Sequence, residues 1–337
     1  MPASLRLPSL ALVGALALAS ALALSTALAP GTARAADGGG VAWSVQTADN
    51  AHGTGRGNFT YAVDPGAVIS DTMIVVNTGT EPLPLAVYAA DAFTASTGEI
   101  DVLVDGAPSA DAGTWVAVAT PALELAPGHT ADVPFTVTVP ADARPGDHSA
   151  GIVTSLTSQD PANALSVDRR LGTRLTVRVA GDLVPAASAT AVSARYDGSW
   201  NPFESGRLTV SYSLENTGNT RLTGLETIDT SGTGGLFGTR TPPHQISEVL
   251  PGSTIKVVRE VPVFSLGWVA GSVTVAPEGV GLGAGTVDPV ALAFSTPAVP
   301  WSLYALIFLV IAAVATALVA GRRLRRRARP QTSPQAV

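Results

Sequence analysis

Four histidines, 26 carboxylates and no cysteine are the groups in this 337-residue sequence from which chemistry could be built. His52, His129, His148 and His244 lie far apart, and none has a second histidine at ligand spacing. Without cysteine, thiol catalysis and thiolate metal sites fall away. The densest constellation is Asp147-His148-Ser149, which has the residue types of a hydrolytic triad. Consecutive residues of a strand point to opposite faces, so these three cannot converge on one substrate. Their flank, Gly146-Asp147-His148-Ser149-Ala150-Gly151, is not the Gly-x-Ser-x-Gly of a nucleophile elbow. Asp101 and Asp105 lack the dense oxygen ligands of a calcium loop. No glycine-rich phosphate loop follows a strand and opens a helix, and Asn58-Phe59-Thr60 is a sequon of the kind a threonine-rich chain produces by chance. The expectation is a protein without catalytic residues, cofactor or metal, which acts through surfaces. Asp147 and His148, on a turn entering a strand, stand as candidate binding residues; the plainer alternative is that Asp147 bonds local backbone.

The segments that must position such a surface begin at the two ends. Trp301 to Gly321 carries no charge and is rich in Leu, Ile, Val, Phe and Ala. About 20 such residues span the ~30 Å hydrocarbon core of a bilayer as a helix. Arg322, Arg323, Arg325, Arg326, Arg327 and Arg329 follow at once. Positive charge beside a span is retained in the cytoplasm, and Trp301 and Tyr304 at the other end suit the headgroup level. Residues 301–321 therefore predict a transmembrane helix and 322–337 a basic cytoplasmic tail. At the N-terminus, Arg6, an apolar stretch from Leu10 to Leu28, and Ala33-Arg34-Ala35 predict a signal peptide over 1–35. The length of the apolar stretch leaves an uncleaved anchor as the alternative. The expected product is a single-pass plasma-membrane protein with an extracellular N-terminal ectodomain.

That ectodomain holds all 26 acids and 12 of the 20 bases, a net of −14. Such a surface repels nucleic acid and suits solubility, a basic partner or a cationic matrix. Its pattern is β throughout. Val133, Phe135, Val137 and Val139 alternate with polar residues, as do Leu208, Val210, Tyr212 and Leu214. Period two with one apolar face marks a half-buried strand. Val68 to Val76, Leu171 to Val179 and Ile255 to Val263 are further strands by β-branched content. The map repeats once. Asn77-Thr78-Gly79 and Asn216-Thr217-Gly218 each follow a strand and are expected to close hairpins. Pro127-Gly128 and Pro251-Gly252 then each open another strand as type II turns. The fold class expected is all-β: two tandem immunoglobulin-like β-sandwich domains, over 41–181 and 186–297, followed by one C-terminal transmembrane helix.

The order Phe59-Thr60-Tyr61-Ala62-Val63-Asp64-Pro65-Gly66, then Thr97-Gly98-Glu99-Ile100, Arg144-Pro145-Gly146-Asp147-His148-Ser149-Ala150-Gly151-Ile152-Val153 and Arg170-Leu171-Gly172-Thr173-Arg174-Leu175 resembles the N-terminal domain of the WxL-interacting proteins of Gram-positive cell surfaces. The resemblance covers roughly 41–181, and the second domain matches that family only loosely. It implies a cell-wall protein whose first domain binds peptidoglycan, with another surface protein as a further partner and the plasma membrane engaged through one helix. The reading from the residues alone leaves a second class open: a structural spacer or accessory subunit of a membrane complex, without glycan binding.

Overall fold

The structure, a computed structural model, describes residues 40–160, 165–281, 285 and 287–327. The expected signal segment 1–35 and Arg329 lie outside them, and Arg325, Arg326 and Arg327 are described as helical backbone alone. The first domain runs β1 (Trp43–Thr47), β2 (Phe59–Val63), β3 (Val68–Asn77), β4 (Leu83–Thr94), β5 (Ile100–Val102), β6 (Val116–Val118), β7 (Ala122–Leu125), β8 (Thr130–Thr138), β9 (Gly146–Asp160) and β10 (Leu165–Val179). One sheet has the order β1-β3-β8-β6 and the other β2-β10-β9-β4-β5, with β7 also on β4. All pairings are antiparallel except β2 with β10, which is parallel and sets Phe59 opposite Leu175. The chain thus starts in one sheet and crosses to the other within its first two strands.

The second domain runs β11 (Ala187–Asp197), β12 (Gly206–Asn216), β13 (Leu222–Gly232), β14 (Thr239–Arg240), β15 (His244–Val249), β16 (Thr254–Val263), β17 (Gly267–Gly279) and β18 (Val290–Ala298). Its sheets are β11-β12-β16 and β14-β13-β17-β18, with β15 also on β13. The two sandwiches have separate cores. Phe59, Met73, Phe135, Ile152 and Leu175 anchor the first, and Phe59 meets Phe135 edge-on at 4.8 Å across the two sheets. Leu208, Val210, Tyr212 and Leu214, the alternate residues of β12, enter the second with Ile228, Val263 and Val273. Each such side chain stabilises by roughly 1.5–3 kcal/mol when removed from water. The fold is all-β, two immunoglobulin-like sandwiches followed by one apolar helix.

The repeat recurs atom for atom, but not as hairpins. β3 and β4 belong to different sheets, as do β12 and β13. Asn-Thr-Gly therefore turns a corner between sheets. The Asn77 amide donates to Leu125 O (3.0 Å) and Glu81 O (2.8 Å), while its oxygen accepts from the Gly79 N–H. The Asn216 amide donates to Val249 O (2.8 Å) and Thr220 O (2.7 Å), and its oxygen accepts from the Gly218 N–H. The Gly128 N–H donates to Asn77 O and the Gly252 N–H to Asn216 O, both at 3.0 Å. Both Pro-Gly turns carry φ +73° at glycine, as type II requires. A Cβ on Gly218 would lie 2.4 Å from Val184 O, which leaves glycine alone able to fit.

α1 (Trp301–Arg327) starts where expected and continues past Gly321 into the arginines, since arginine is a good helix former. Its apolar window, Trp301–Arg323, spans ~35 Å at 1.5 Å per residue, and none of it is buried against the protein. Asn216→Ala would strip donors from two buried carbonyls. Denaturant unfolding should show a loss of about 2–4 kcal/mol, while Asn→Ala at exposed Asn58 should change little.

Candidate functional site

Asp147 and His148 open β9, and their strand alternation sends them to different partners. Asp147 lies opposite Arg178 in the β9–β10 register, so the two side chains share a face by construction. The Arg178 guanidinium grips the carboxylate with two bonds, Nε to Oδ1 at 2.6 Å and Nη2 to Oδ2 at 2.7 Å. The backbone N–H of Arg221, in the second domain, donates to Oδ2 at 2.9 Å. The Asp147 carboxylate has no exposed surface. Burial alone would raise its pKa. Arg178, then the Arg221 N–H and the charges of both arginines, outweigh that and hold it below the usual carboxylate range.

Around this pair the domains exchange a further set of bonds. The Asp147 N–H donates to Asn219 O at 2.7 Å, and Arg178 also reaches Val280 O at 2.6 Å. The Asn219 amide donates to Pro145 O and Asp182 O, each at 2.9 Å, and its oxygen accepts from Val184 N–H. Glu248 bridges Arg174 of the first domain (3.1 Å) and Arg221 of the second (3.0 Å). Thr94, the last residue of β4, donates to Glu248 O and accepts from the Leu250 N–H. The Lys256 N–H donates to Ser96 O at 2.8 Å. Gly146, at φ +128°, lets this contact close: a Cβ there would sit 2.3 Å from Asn219 O.

His148 turns the other way, into the first domain. Nδ1 lies 2.6 Å from an Asp111 carboxylate oxygen, and Nε2 lies 2.8 Å from Arg144 O. Two acceptors ask for a ring with both nitrogens protonated. Burial lowers the His148 pKa, but the Asp111 bond and then the Arg144 carbonyl raise it further, and the net shift is upward. The ring also rests on Trp115, centroids 4.6 Å apart. Ser149 is buried on Asp147's side, and its hydroxyl has no hydrogen-bond partner among the described residues. A cleft of ≈ 620 Å³ runs beside the junction, with Asp111, Arg144, Asp182 and Glu215 among its walls.

Two other buried carboxylates have no counterpart in the reading of the sequence. Asp71 accepts from Arg56, from the Tyr61 hydroxyl at 2.6 Å, from Asn50 and from the Thr72 N–H. Burial pushes its pKa up, but these donors together hold it down to about 2. Glu226 accepts from the Tyr212 hydroxyl and from Arg259 Nε. Among the described residues no group of three or more His, Asp or Glu is placed to hold a metal ion.

No family model and no curated protein matches this chain. Solved structures give distant likenesses. The CsuC–CsuE chaperone–tip subunit complex of Acinetobacter baumannii aligns at 12% identity and TM-score 0.36, over 75% of this chain and 97% of that one. The class 5 fimbriae chaperone CfaA aligns at 11% and 0.33, over 77% and 100%. PapD-like domain 7 of human CEP192 aligns at 12% and 0.26, over 41% and 86%. Likeness at that level carries no inference about activity or partner.

Asp147→Ala should remove the two-bond carboxylate partner of half-buried Arg178 and the acceptor of the Arg221 N–H, and cost about 3–5 kcal/mol in denaturant unfolding. It should also split one cooperative transition into two. For His148, the raised folded pKa means that its contribution is fully present below the unfolded value of ~6.5. That contribution is lost as pH rises through the higher folded value. Stability should therefore fall from pH 6 to pH 8 more steeply in the parent than in Asp111→Asn, as read by unfolding midpoints.

Proposed function

We propose that this chain is a non-enzymatic, single-pass surface protein whose ectodomain is a stiff two-domain rod. The rod holds the first domain away from the bilayer, where it engages peptidoglycan or a partner surface protein. The observation that supports this most directly is the continuity of the connections. The second domain is tied to the first at one end through Asp147, Arg221 and Glu248. At its other end only Val299 and Pro300 separate β18 from α1. A flexible tether would let the two sandwiches reorient; this arrangement fixes their spacing.

The orientation rests on the arginines after the apolar span, which favour a cytoplasmic C-terminus. Peptidoglycan as the ligand rests on the resemblance of 41–181 to the WxL-interacting proteins. Its amides, hydroxyls and ammonium groups repeat along a polymer, so weak contacts multiply through avidity. An acidic ectodomain, 12 bases against 26 acids, favours the ammonium groups. The second reading is a spacer or accessory subunit without glycan binding, and the bonded domain junction favours it equally. The cleft beside Asp147 and His148 is the place to test first, through the exposed acids on its rim rather than through buried Asp147.

With purified sacculi, the chain in detergent should co-sediment at low salt and partly release as ionic strength rises past ~0.1 M, where screening acts over ~10 Å. Absence of co-sedimentation at low salt would discard the glycan and leave the spacer. Protease added to intact protoplasts should remove everything before Trp301; a protected ectodomain would overturn the orientation.

A further inference from the structure

The end of the second domain that faces α1 is unlike the rest of the surface. Strand register gathers three segments there. Asp197 pairs with Arg207, so the β11–β12 loop lies at this end. Val263 pairs with Gly206, Gly267 with Ala298, and Gly232 with Val269, which adds the β16–β17 loop and the segment after β13. These loops and the start of strand β17 present Trp200, Phe203, Leu236, Phe237, Leu266 and Trp268 to solvent. Trp200 is 96% exposed and Phe203 78%, values that expose whole aromatic rings.

The rings are held out by built loops. Asn201 accepts from the Phe203 N–H with its side chain and from the Glu204 N–H with its carbonyl, which fixes the turn carrying Trp200 and Phe203. Phe237 adopts φ +56°, a left-handed conformation costly for a bulky residue, and packs edge-on against Phe264 at 5.1 Å. The loops are also tied to the helix. The Ser302 hydroxyl donates to Ser199 O at 2.7 Å, and the Tyr304 hydroxyl donates to Leu266 O at 2.6 Å. Whatever depth Trp301 and Tyr304 take, Ser199 and Leu266 take with them. The neighbouring bases are paired, Arg195 with Asp197 at 3.1 Å and Arg207 with Glu260 at 3.6 Å, and the remaining charge is the Glu204 carboxylate, which accepts from the Ser199 hydroxyl. The collar is therefore aromatic and not basic.

We propose that this collar is a lipid-contacting surface: the six side chains sit in the headgroup layer of the outer leaflet and set the ectodomain upright on the bilayer. The inference rests on α1 spanning the membrane. Aromatic rings favour the interface, where one face meets acyl chains and the edge stays hydrated. An exposed apolar patch continuous with a membrane-spanning helix has the bilayer as its nearest apolar phase. Because no basic charge is left unmatched at the collar, contact needs no anionic lipid.

The chain has no cysteine, so a single introduced thiol carries a single spin label. Phe203→Cys and Phe237→Cys report the collar, Leu309→Cys the middle of α1, and Thr78→Cys the far end of the first domain. The full chain is reconstituted in phosphatidylcholine vesicles, and the accessibility of each label to oxygen and to a water-soluble nickel complex is measured. The expected result is an oxygen-to-nickel ratio at 203 and 237 several-fold above that at 78 and below that at 309, unchanged by high salt. A label at 309 in lipid with labels at 203 and 237 as wet as at 78 overturns the collar and leaves the anchor standing. A label at 309 in water overturns both.

Discussion

A buried negative charge at the junction of two domains is the constraint on which the paired sandwiches depend. Removing a carboxylate from water costs several kcal/mol, and that cost is offset only when the surrounding donors are all in place. For Asp147 the donors come from both domains: a guanidinium on the neighbouring strand and a backbone N–H from across the junction. Neither sandwich can drift without leaving that charge, or Arg178, short of a partner. The lesser bonds of Thr94, Asn219 and Glu248 act within a geometry that the carboxylate has already set. Its neighbour His148 meets a different demand, holding the Asp111 segment against the first domain through a ring that is bonded at both nitrogens.

The two sandwiches use one corner twice, with different consequences. Asn77 and Asn216 make matching bonds, and the Pro-Gly turns that complete each corner carry the same glycine conformation. In the second domain this corner receives the first domain, through Asn219 and the Arg221 N–H. In the first domain the corner lies at the far end, and the residue after Asn-Thr-Gly is Thr80. A hydroxyl replaces an amide able to donate twice and accept at once, so the copy keeps the fold of the corner without the junction.

Much of this was legible in the sequence where burial was one-sided. β8 and β12 alternate because one face is core and the other solvent. A strand after Asn216-Thr217-Gly218 was expected, but the bounds of β13 were not legible, because its inward face reads Leu222, Gly224, Glu226, Ile228 and Thr230, and the buried glutamate is matched by Arg259 and the Tyr212 hydroxyl, a partnership that composition does not display. β11 escaped as an edge strand of small, half-exposed residues. The Asn-Thr-Gly corner was located correctly and assigned the wrong connection, since turn chemistry says where a chain bends and not which sheet it joins next. Asp147 drew notice beside a histidine and a serine. Its actual partners stand 31 and 74 positions away, at a distance that only the tertiary fold closes. Asp71, inside a run of β-branched residues, gave no such cue.

The strand directions of the second domain have a mechanical consequence. β11 begins beside the first domain and ends beside the helix, and β18 runs the same way. Tension applied between the first domain and the helix would thus pull β11 lengthwise along β12, and β18 lengthwise along β17. Each seam has nine register pairs, and antiparallel hydrogen bonds lie perpendicular to the strands. Such a pull loads the bonds of the unbroken β17–β18 seam sideways together instead of opening them one after another, and loads β11–β12 as two ladders on either side of the register shift between Thr190 and Ser193. The domain nearest the bilayer is thereby arranged to resist shear along its own long axis.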